Sequence, residues 1–317
     1  NWTARPPIQG GVLAGLVALW AAGRIVCLVS AFLPLWLAAG IDVAFPFVLG
    51  AFAAREIVAA RNWRNLMMTV PLGVLGIANL LMYLELGGVD VPTGLGWRLA
   101  IAAIIALITA VGGRIIPAFT RNWLVAQGAT RLPTAARLVD RLALSTLHLG
   151  LLAWAFLPAV PAVGGLLLVG ALLNAWRLAR WRGHAVFGEP LLAILHLGYL
   201  WVVIGAALLG ASAFGDLVPQ SAAIHAFTAG AIGTMILAVM SRVSLGHTGR
   251  QLHADRTTVA CYVLVTFSAF ARIGAALFAS VFMPLIMLSG VLWVAAFLLF
   301  IAHYGAMLIS PRARGAP

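Results

Sequence analysis

Residues 188–212 have the sequence GEPLLAILHLGYLWVVIGAALLGAS. Beyond Pro190 this run holds roughly twenty mostly apolar residues, which is the length of α-helix that spans the hydrocarbon core of a bilayer. Its one imidazole belongs to His196. Because backbone polar groups in lipid must be satisfied within the segment itself, we predict that this stretch is a transmembrane helix.

The rest of the chain has the same character. Of its 317 residues, 63% are hydrophobic and 9% are charged, a composition that a soluble domain of this size does not have. We therefore predict an all-α fold, a polytopic transmembrane helix bundle with ten spans, forming a single membrane domain over residues 1–317. The predicted spans are 10–30, 34–59, 66–86, 97–119, 135–158, 161–180, 188–212, 217–240, 256–280 and 284–309.

The charge balance points to lipid as the partner. All basic residues are arginine, and the net charge is +12. In a soluble protein this balance would suggest nucleic acid, but most of these arginines fall in short segments between apolar spans, where anionic lipid head groups are the natural partner. The two cysteines, Cys27 and Cys261, lie in different spans and form no CxxC or zinc-binding pattern.

The distribution of arginine predicts the orientation of the spans. One set of alternate loops contains Arg5, Arg61, Arg64, Arg121, Arg131, Arg137, Arg177, Arg180, Arg182, Arg242, Arg250, Arg256, Arg312 and Arg314. The other set contains Asp90, Asp216 and, at the edge of a span, Arg98. Cytoplasmic loops carry the excess of arginine, so both ends of this chain are predicted to face the cytoplasm.

Three histidines fall inside predicted spans: His148, His196 and His225. An ionisable group at membrane depth is costly and usually marks a site or a pathway. Neutral imidazole is also a common ligand of haem iron and copper, so all three are candidate ligands. The alternative is that they are core residues bonded to backbone carbonyls. For His196, the neighbouring Tyr199 offers a hydroxyl group one helical turn away.

His225 has the most suggestive surroundings. Ser221 and Thr228 lie on the same helical face and can orient the ring or bond its second nitrogen. A strip of small residues lets another helix, or a flat macrocycle, approach closely, although ordinary helix packing explains it equally well. The strip consists of Ala222, Ala226, Ala229 and Gly233.

Arg24, Arg272 and Asp42 also lie within predicted spans. A guanidinium group matches a carboxylate bidentately, so either arginine can bind the propionates of a haem. Alternatively, one of them pairs with Asp42, because an unpaired buried charge is strongly unfavourable. The second alternative is slightly favoured.

The densest polar run is MSRVSLGHTGR at residues 240–250. It follows a predicted span on the cytoplasmic side and contains Arg242, His247 and Arg250. These groups can hold an anion or fold back to cap the bundle. A basic loop at the lipid surface is the simpler interpretation.

Several of these motifs together resemble one known family. They are HAFTAGAIGTMILAVMSRVSLGHTGR at 225–250, GGRIIPAFTRNW at 112–123, LHLGY at 195–199 and the opening NWTARPP. The chain resembles the NnrS family, bacterial inner-membrane proteins linked to the nitric oxide response and described as binding haem and copper. The resemblance covers essentially the whole chain. It implies a haem, a copper, protection against nitrosative stress, and nitric oxide or an iron-nitrosyl species as the small-molecule partner.

The sequence departs from the family in one respect. Family members, with about twelve spans, usually have two further spans and a His-x-His-Glu-Met motif before the Asn-Trp-Thr segment, and this sequence has neither. We therefore expect an N-terminally truncated chain. Two other functional classes stay open: a transporter whose intramembrane His, Arg and Asp line a path, and a membrane sensor or assembly factor without catalysis.

Overall fold

The computed structural model describes residues 8–215 and 218–313. The opening NWTARPP motif therefore lies outside the described residues, as do Arg5, Asp216 and Arg314 of the orientation argument. The described part of the chain contains helices and no strand.

Ten helices in this part are long and apolar enough to cross a membrane, which confirms the predicted all-α polytopic bundle. We number them α1 Gly10–Leu28, α2 Leu35–Ala59, α3 Val70–Leu86, α4 Leu95–Ala126, α5 Arg137–Phe156, α6 Pro161–Ala179, α7 Pro190–Ala211, α8 Gln220–His247, α9 Arg256–Leu277 and α10 Phe282–Ile309.

The starts of these helices follow from their sequence. Pro161 and Pro190 open α6 and α7, because proline has no N–H to leave unsatisfied in a first turn. Asp255 caps α9 by accepting a hydrogen bond of 2.8 Å from the Thr258 N–H. Pro117 lies inside α4.

Two predicted ends are wrong. The fourth span was expected to end at residue 119, but α4 continues to Ala126 and includes Arg121. The eighth was expected to end at residue 240, but α8 continues to His247. Both helices run past their apolar stretch because arginine is a good helix former and its side chain can extend to the interface.

The chain forms two compact units, Asn1–Leu107 and Ile108–Pro317. In the first, the core lies between α1, α2 and α3 and includes Val26, Ala38 and Tyr83. In the second, α7 is the most deeply buried helix and packs against α6 and α8. The side chains of Tyr199 and Trp201 on α7 are almost completely buried.

Candidate functional site

His225 lies at a break in the regular geometry of α8. The helix is α-helical over Gln220–His225, π-helical over Ala226–Ile232 and α-helical again from Gly233. Fewer than about one residue in a hundred in proteins is π-helical, and such segments are frequent at functional sites. Of the three intramembrane histidines, His225 is thus the one that the backbone itself distinguishes.

The π-helical segment is held by reciprocal packing between α7 and α8. The Phe227 ring lies against Gly205, where an added Cβ would come within 2.6 Å of it. In the other direction, the Trp201 ring lies against Gly230, where a Cβ would meet it at 2.8 Å. Each aromatic ring thus occupies the space left by a glycine on the opposite helix. Trp293 of α10 covers Gly233 in the same way, so the small-residue strip is used at least in part for helix packing.

The side chains expected to support His225 have different surroundings. Thr228 donates its hydroxyl to the Ile224 carbonyl at 2.8 Å, within its own helix, and Ser221 is exposed. Arg272 lies on α9, which packs against the first α-helical part of α8, Gln220–His225. Within the described part of the chain, His225 makes no hydrogen bond, so its ring nitrogens are not committed to a protein partner.

His196 is buried and has a hydroxyl partner. Its Nε2 lies 2.8 Å from the Thr120 hydroxyl oxygen of α4, and the side chain is 8% exposed. Its Nδ1 is buried without a hydrogen bond in the described structure. A Cβ at Gly183 would lie 2.7 Å from this Nδ1, so only glycine fits there. The Tyr199 hydroxyl, which the sequence analysis considered as a partner of His196, bonds to Arg177 and Asn174.

His148 lies beside a polar cluster that the sequence analysis missed. Its Nε2 is 2.8 Å from the Thr109 hydroxyl, and the Thr109 carbonyl accepts a hydrogen bond from the Arg177 guanidinium at 3.3 Å. Arg177 was counted among the loop arginines, but it lies in the last turn of α6 and is only 4% exposed. Thr109 therefore links His148 to the buried Arg177 guanidinium, which also contacts Tyr199.

Arg177 is the centre of this cluster. It donates to the Asp140 carboxylate at 3.1 Å and to the Tyr199 hydroxyl at 2.7 Å. Tyr199 in turn donates to the Asn174 side-chain oxygen at 2.7 Å. A Cβ at Gly113 of α4 would overlap the guanidinium group. Two features of the sequence could have indicated this cluster. They are Asn174 inside an apolar span and the Gly112–Gly113 pair.

In the first unit, Asp42 pairs with Arg24, one of the two arginines that the sequence analysis considered for it. Its carboxylate forms an ion pair with Arg24 and also accepts hydrogen bonds from Asn79 at 2.9 Å and from Tyr83 at 3.3 Å. Arg272 makes no ion pair within the described residues, so the two arginines considered for haem propionates differ. Arg24 is engaged by an aspartate, and Arg272 is not.

The predicted cytoplasmic motif is mostly helix. Arg242 lies in α8, and its guanidinium carbon is 4.2 Å from the centre of the Phe119 ring. His247 is exposed at the end of α8. Gly249 adopts a φ of +71°, and the Arg250 N–H then bonds back to the Leu245 carbonyl at 2.9 Å, which terminates the helix. The run 240–250 was expected to be a loop after a helix. It forms the last turns and the C-terminal cap of that helix.

Ala313, which follows α10, contacts this cap. The Ala313 N–H donates to the Thr248 carbonyl at 2.9 Å. Nearby, Asp255 lies 3.0 Å from the His303 ring, a residue to which the sequence analysis gave no role. Burial raises the pKa of the Asp255 carboxyl, but hydrogen bonds from Thr258 and the charges of His303 and His253 outweigh burial and leave the pKa below its ordinary value.

The candidate ligands do not converge on one point. Among the described residues, no three histidine, cysteine, aspartate or glutamate side chains come together as a metal-binding group. His148 and His196 each have a threonine hydroxyl at Nε2, and His225 has neither that kind of partner nor a carboxylate. The three imidazoles are therefore separate, and both ring nitrogens of His225 are free of hydrogen bonds to described residues.

Comparison with known proteins places the chain in one family. No curated protein and no solved structure matches it. The family model described as NnrS protein matches residues 1–312, essentially the whole chain. The chain therefore belongs to the NnrS family.

Proposed function

We propose that this protein is a haem-binding protein of the bacterial inner membrane that acts in the response to nitric oxide, with His225 as an axial ligand of the haem. Membership of the NnrS family supports the role. The single observation that carries the assignment to His225 is its position at the start of a π-helical segment inside a transmembrane helix.

The residues around His225 fit an axial ligand. Haem iron needs only one or two ring nitrogens from the protein, and those of His225 make no hydrogen bond to described residues. His148 and His196 have only Nδ1 left for iron, because a threonine hydroxyl occupies the Nε2 position of each ring. When bound, haem would supply an iron centre able to bind a diatomic molecule such as nitric oxide. His225 would hold it, and Phe227 and Trp201 would keep the backbone around His225 in place.

Arg272 is the better candidate for the haem propionates. A propionate needs a cation that is not already matched by a carboxylate, and Arg24 is matched by Asp42. Arg272 lies on α9, the helix that packs against the part of α8 that ends at His225. We therefore expect Arg272→Leu to lower haem content and Arg24→Leu to leave it unchanged.

Copper, the second metal implied by the family resemblance, does not fit the described residues. Copper sites in proteins are built from converging imidazole and sulfur ligands. No group of three histidine, cysteine, aspartate or glutamate side chains is present in the described part of the chain, and Cys261 is buried alone. We therefore propose haem alone as the bound group.

The experiment compares wild type, His148→Ala, His196→Ala and His225→Ala. The optical spectrum and the haem-to-protein ratio are measured on folded protein extracted from membranes at matched levels. Loss of an axial ligand should remove the haem or change its spin state, so we expect His225→Ala to abolish or shift the spectrum. The other two variants should keep it. An unchanged spectrum in His225→Ala, or no haem in the wild type, would contradict the assignment.

We also propose that both ends of the chain face the cytoplasm, on the strength of the arginine distribution. Thr93 and Gln127 are exposed positions at opposite ends of α4. In a background in which the exposed Cys27 is replaced by serine, a membrane-impermeant maleimide added to intact spheroplasts should label Thr93→Cys and not Gln127→Cys. The reverse pattern would invert the orientation.

A further inference from the structure

The second unit contains a large cavity that the proposed function does not use. Its volume is about 590 Å³, within the range of small-molecule sites. It lies between the end of α6, the short helix Gly183–Val186, α7 and α9. On α7 its wall runs from Pro190 to Leu200, a rise of about 15 Å in a helix. It therefore extends from the membrane interface well into the hydrocarbon region.

The walls of the cavity select against a charged occupant. They are mainly aliphatic, with the aromatic rings of Phe187 and Phe267. None of the lining residues, all of which are described, is an arginine, aspartate or glutamate. The phosphate of a phospholipid head group would find no guanidinium or ammonium group in the wall, whose only basic side chains are the imidazoles of His184 and His196, and the chain has no lysine. The occupant that fits is neutral and largely apolar.

Two polar groups in the wall have no partner. His196 lines the cavity, and its Nδ1 is buried without a hydrogen bond in the described structure. The Tyr262 hydroxyl is likewise buried without a hydrogen bond there. The other polar side chains of the wall are His184 and Thr266, and the Thr266 hydroxyl donates to the Tyr262 carbonyl at 2.7 Å. Unsatisfied polar atoms in an apolar environment are costly, at about 1–3 kcal/mol each. A bound molecule with hydrogen-bonding oxygens would relieve that cost.

We propose that this cavity binds a lipid-soluble quinone. A quinone is neutral, its planar ring suits walls that contain two phenylalanines, and its two carbonyl oxygens accept hydrogen bonds from imidazole and phenol groups. Its long apolar tail is at home in the surrounding lipid. The contact between Thr120 and His196 allows His196 to donate to a quinone carbonyl. When the Thr120 hydroxyl donates to Nε2, the proton of a neutral imidazole lies on Nδ1. The proposal does not depend on the haem.

The test is a titration with decylubiquinone, measured by calorimetry on purified protein in nanodiscs that contain no quinone. Ala193 lines the cavity, so Ala193→Phe fills it. We expect this substitution to weaken binding at least tenfold, and His196→Leu to weaken it severalfold. Ala302→Phe places the same ring on an exposed alanine of α10 that does not line the cavity, and should bind like wild type.

Three results would overturn the proposal. They are no binding to the wild type, equal affinity in Ala193→Phe, and displacement of decylubiquinone by methyl decanoate at equal concentration, which would make the cavity a groove for hydrocarbon chains. Spectra of the same samples separate this site from the haem site. Ala193→Phe should keep the haem, and His225→Ala should keep quinone binding even if the haem is lost.

Discussion

In each unit of this protein an arginine and an aspartate pair so that only one partner is buried, and the buried partner differs between the units. In the first unit the Asp42 side chain is 7% exposed and that of Arg24 is 53% exposed. In the second the Arg177 side chain is 4% exposed and that of Asp140 is 29% exposed. One cluster is therefore built around a buried anion and the other around a buried cation.

This difference has consequences for stability. Asp42 accepts from Arg24, Asn79 and Tyr83, so two donors remain when one of them is lost. Arg177 is a buried cation, and the Asp140 carboxylate is the one anion among its hydrogen-bond partners in the described structure. We infer that the cluster around Arg177 is the harder of the two to alter.

The largest effect is expected for Arg177→Leu. Among the described residues, the substitution leaves Arg180 as the one partner of the Asp140 carboxylate and removes the donor to Tyr199 and to the Thr109 carbonyl. Breaking a buried ion pair by removing one partner costs about 3–5 kcal/mol, so the detergent-solubilised variant should melt well below wild type or fail to accumulate in membranes.

Arg177→Lys is the matched control for that experiment. Lysine keeps the charge but cannot present the planar fork that contacts Asp140 and Tyr199, so we expect partial recovery. A melting temperature of Arg177→Leu equal to that of wild type would show that the cluster does not support the fold.

The second prediction concerns the glycine that faces each pair. A Cβ at Gly113 would overlap the Arg177 guanidinium, which three hydrogen bonds hold in place, to the Asp140 carboxylate, the Tyr199 hydroxyl and the Thr109 carbonyl. Gly113→Ala should cost about 2–3 kcal/mol through overpacking. At Gly23 a Cβ would lie 2.9 Å from the Asp42 carboxylate, which is bonded on one side to a half-exposed arginine that can move.

We expect Gly23→Ala to cost about 1 kcal/mol or less, because the helix propensity gained by alanine offsets part of the crowding. Thermal melts of the two variants in one detergent make the comparison. Equal costs would mean that the two clusters are equally rigid, contrary to the difference in burial.

The fold could be predicted from the sequence because hydropathy and span length are local properties. The Arg24–Asp42 pair could be anticipated for a related reason: both residues lie inside apolar spans and need a partner there. Arg177 could not, because it stands at the end of a span in one run of basic residues with Arg180 and Arg182, and its burial depends on Gly113 and Asp140 from other helices. The π-helical segment after His225 has no local sequence signature either, since it arises from packing between α7 and α8.

The third prediction tests the anion-centred cluster. Arg24→Leu removes one of three donors to Asp42, and the remaining two keep the carboxyl satisfied, so the cost should be about 1–2 kcal/mol. The double variant Arg24→Leu with Asp42→Asn should recover most of this, since no charge is left unpaired. A cost for Arg24→Leu as large as that for Arg177→Leu would remove the distinction between the clusters.

The smallest effect is expected at the edge of the Asp42 cluster, where the Cys27 sulfur lies 3.7 Å from the Tyr83 hydroxyl. A thiol is a weak hydrogen-bonding group, and Tyr83 already donates to Asp42 at 3.3 Å, so Cys27→Ala removes little. We expect a change in the free energy of unfolding of less than about 0.5 kcal/mol, the range of ordinary surface substitutions. A melt of Cys27→Ala beside Cys261→Ala, which empties space at a buried position, measures this. A loss above about 1 kcal/mol at Cys27 would mean that Tyr83 is positioned by the thiol and that the anion-centred cluster is larger than its three donors to Asp42.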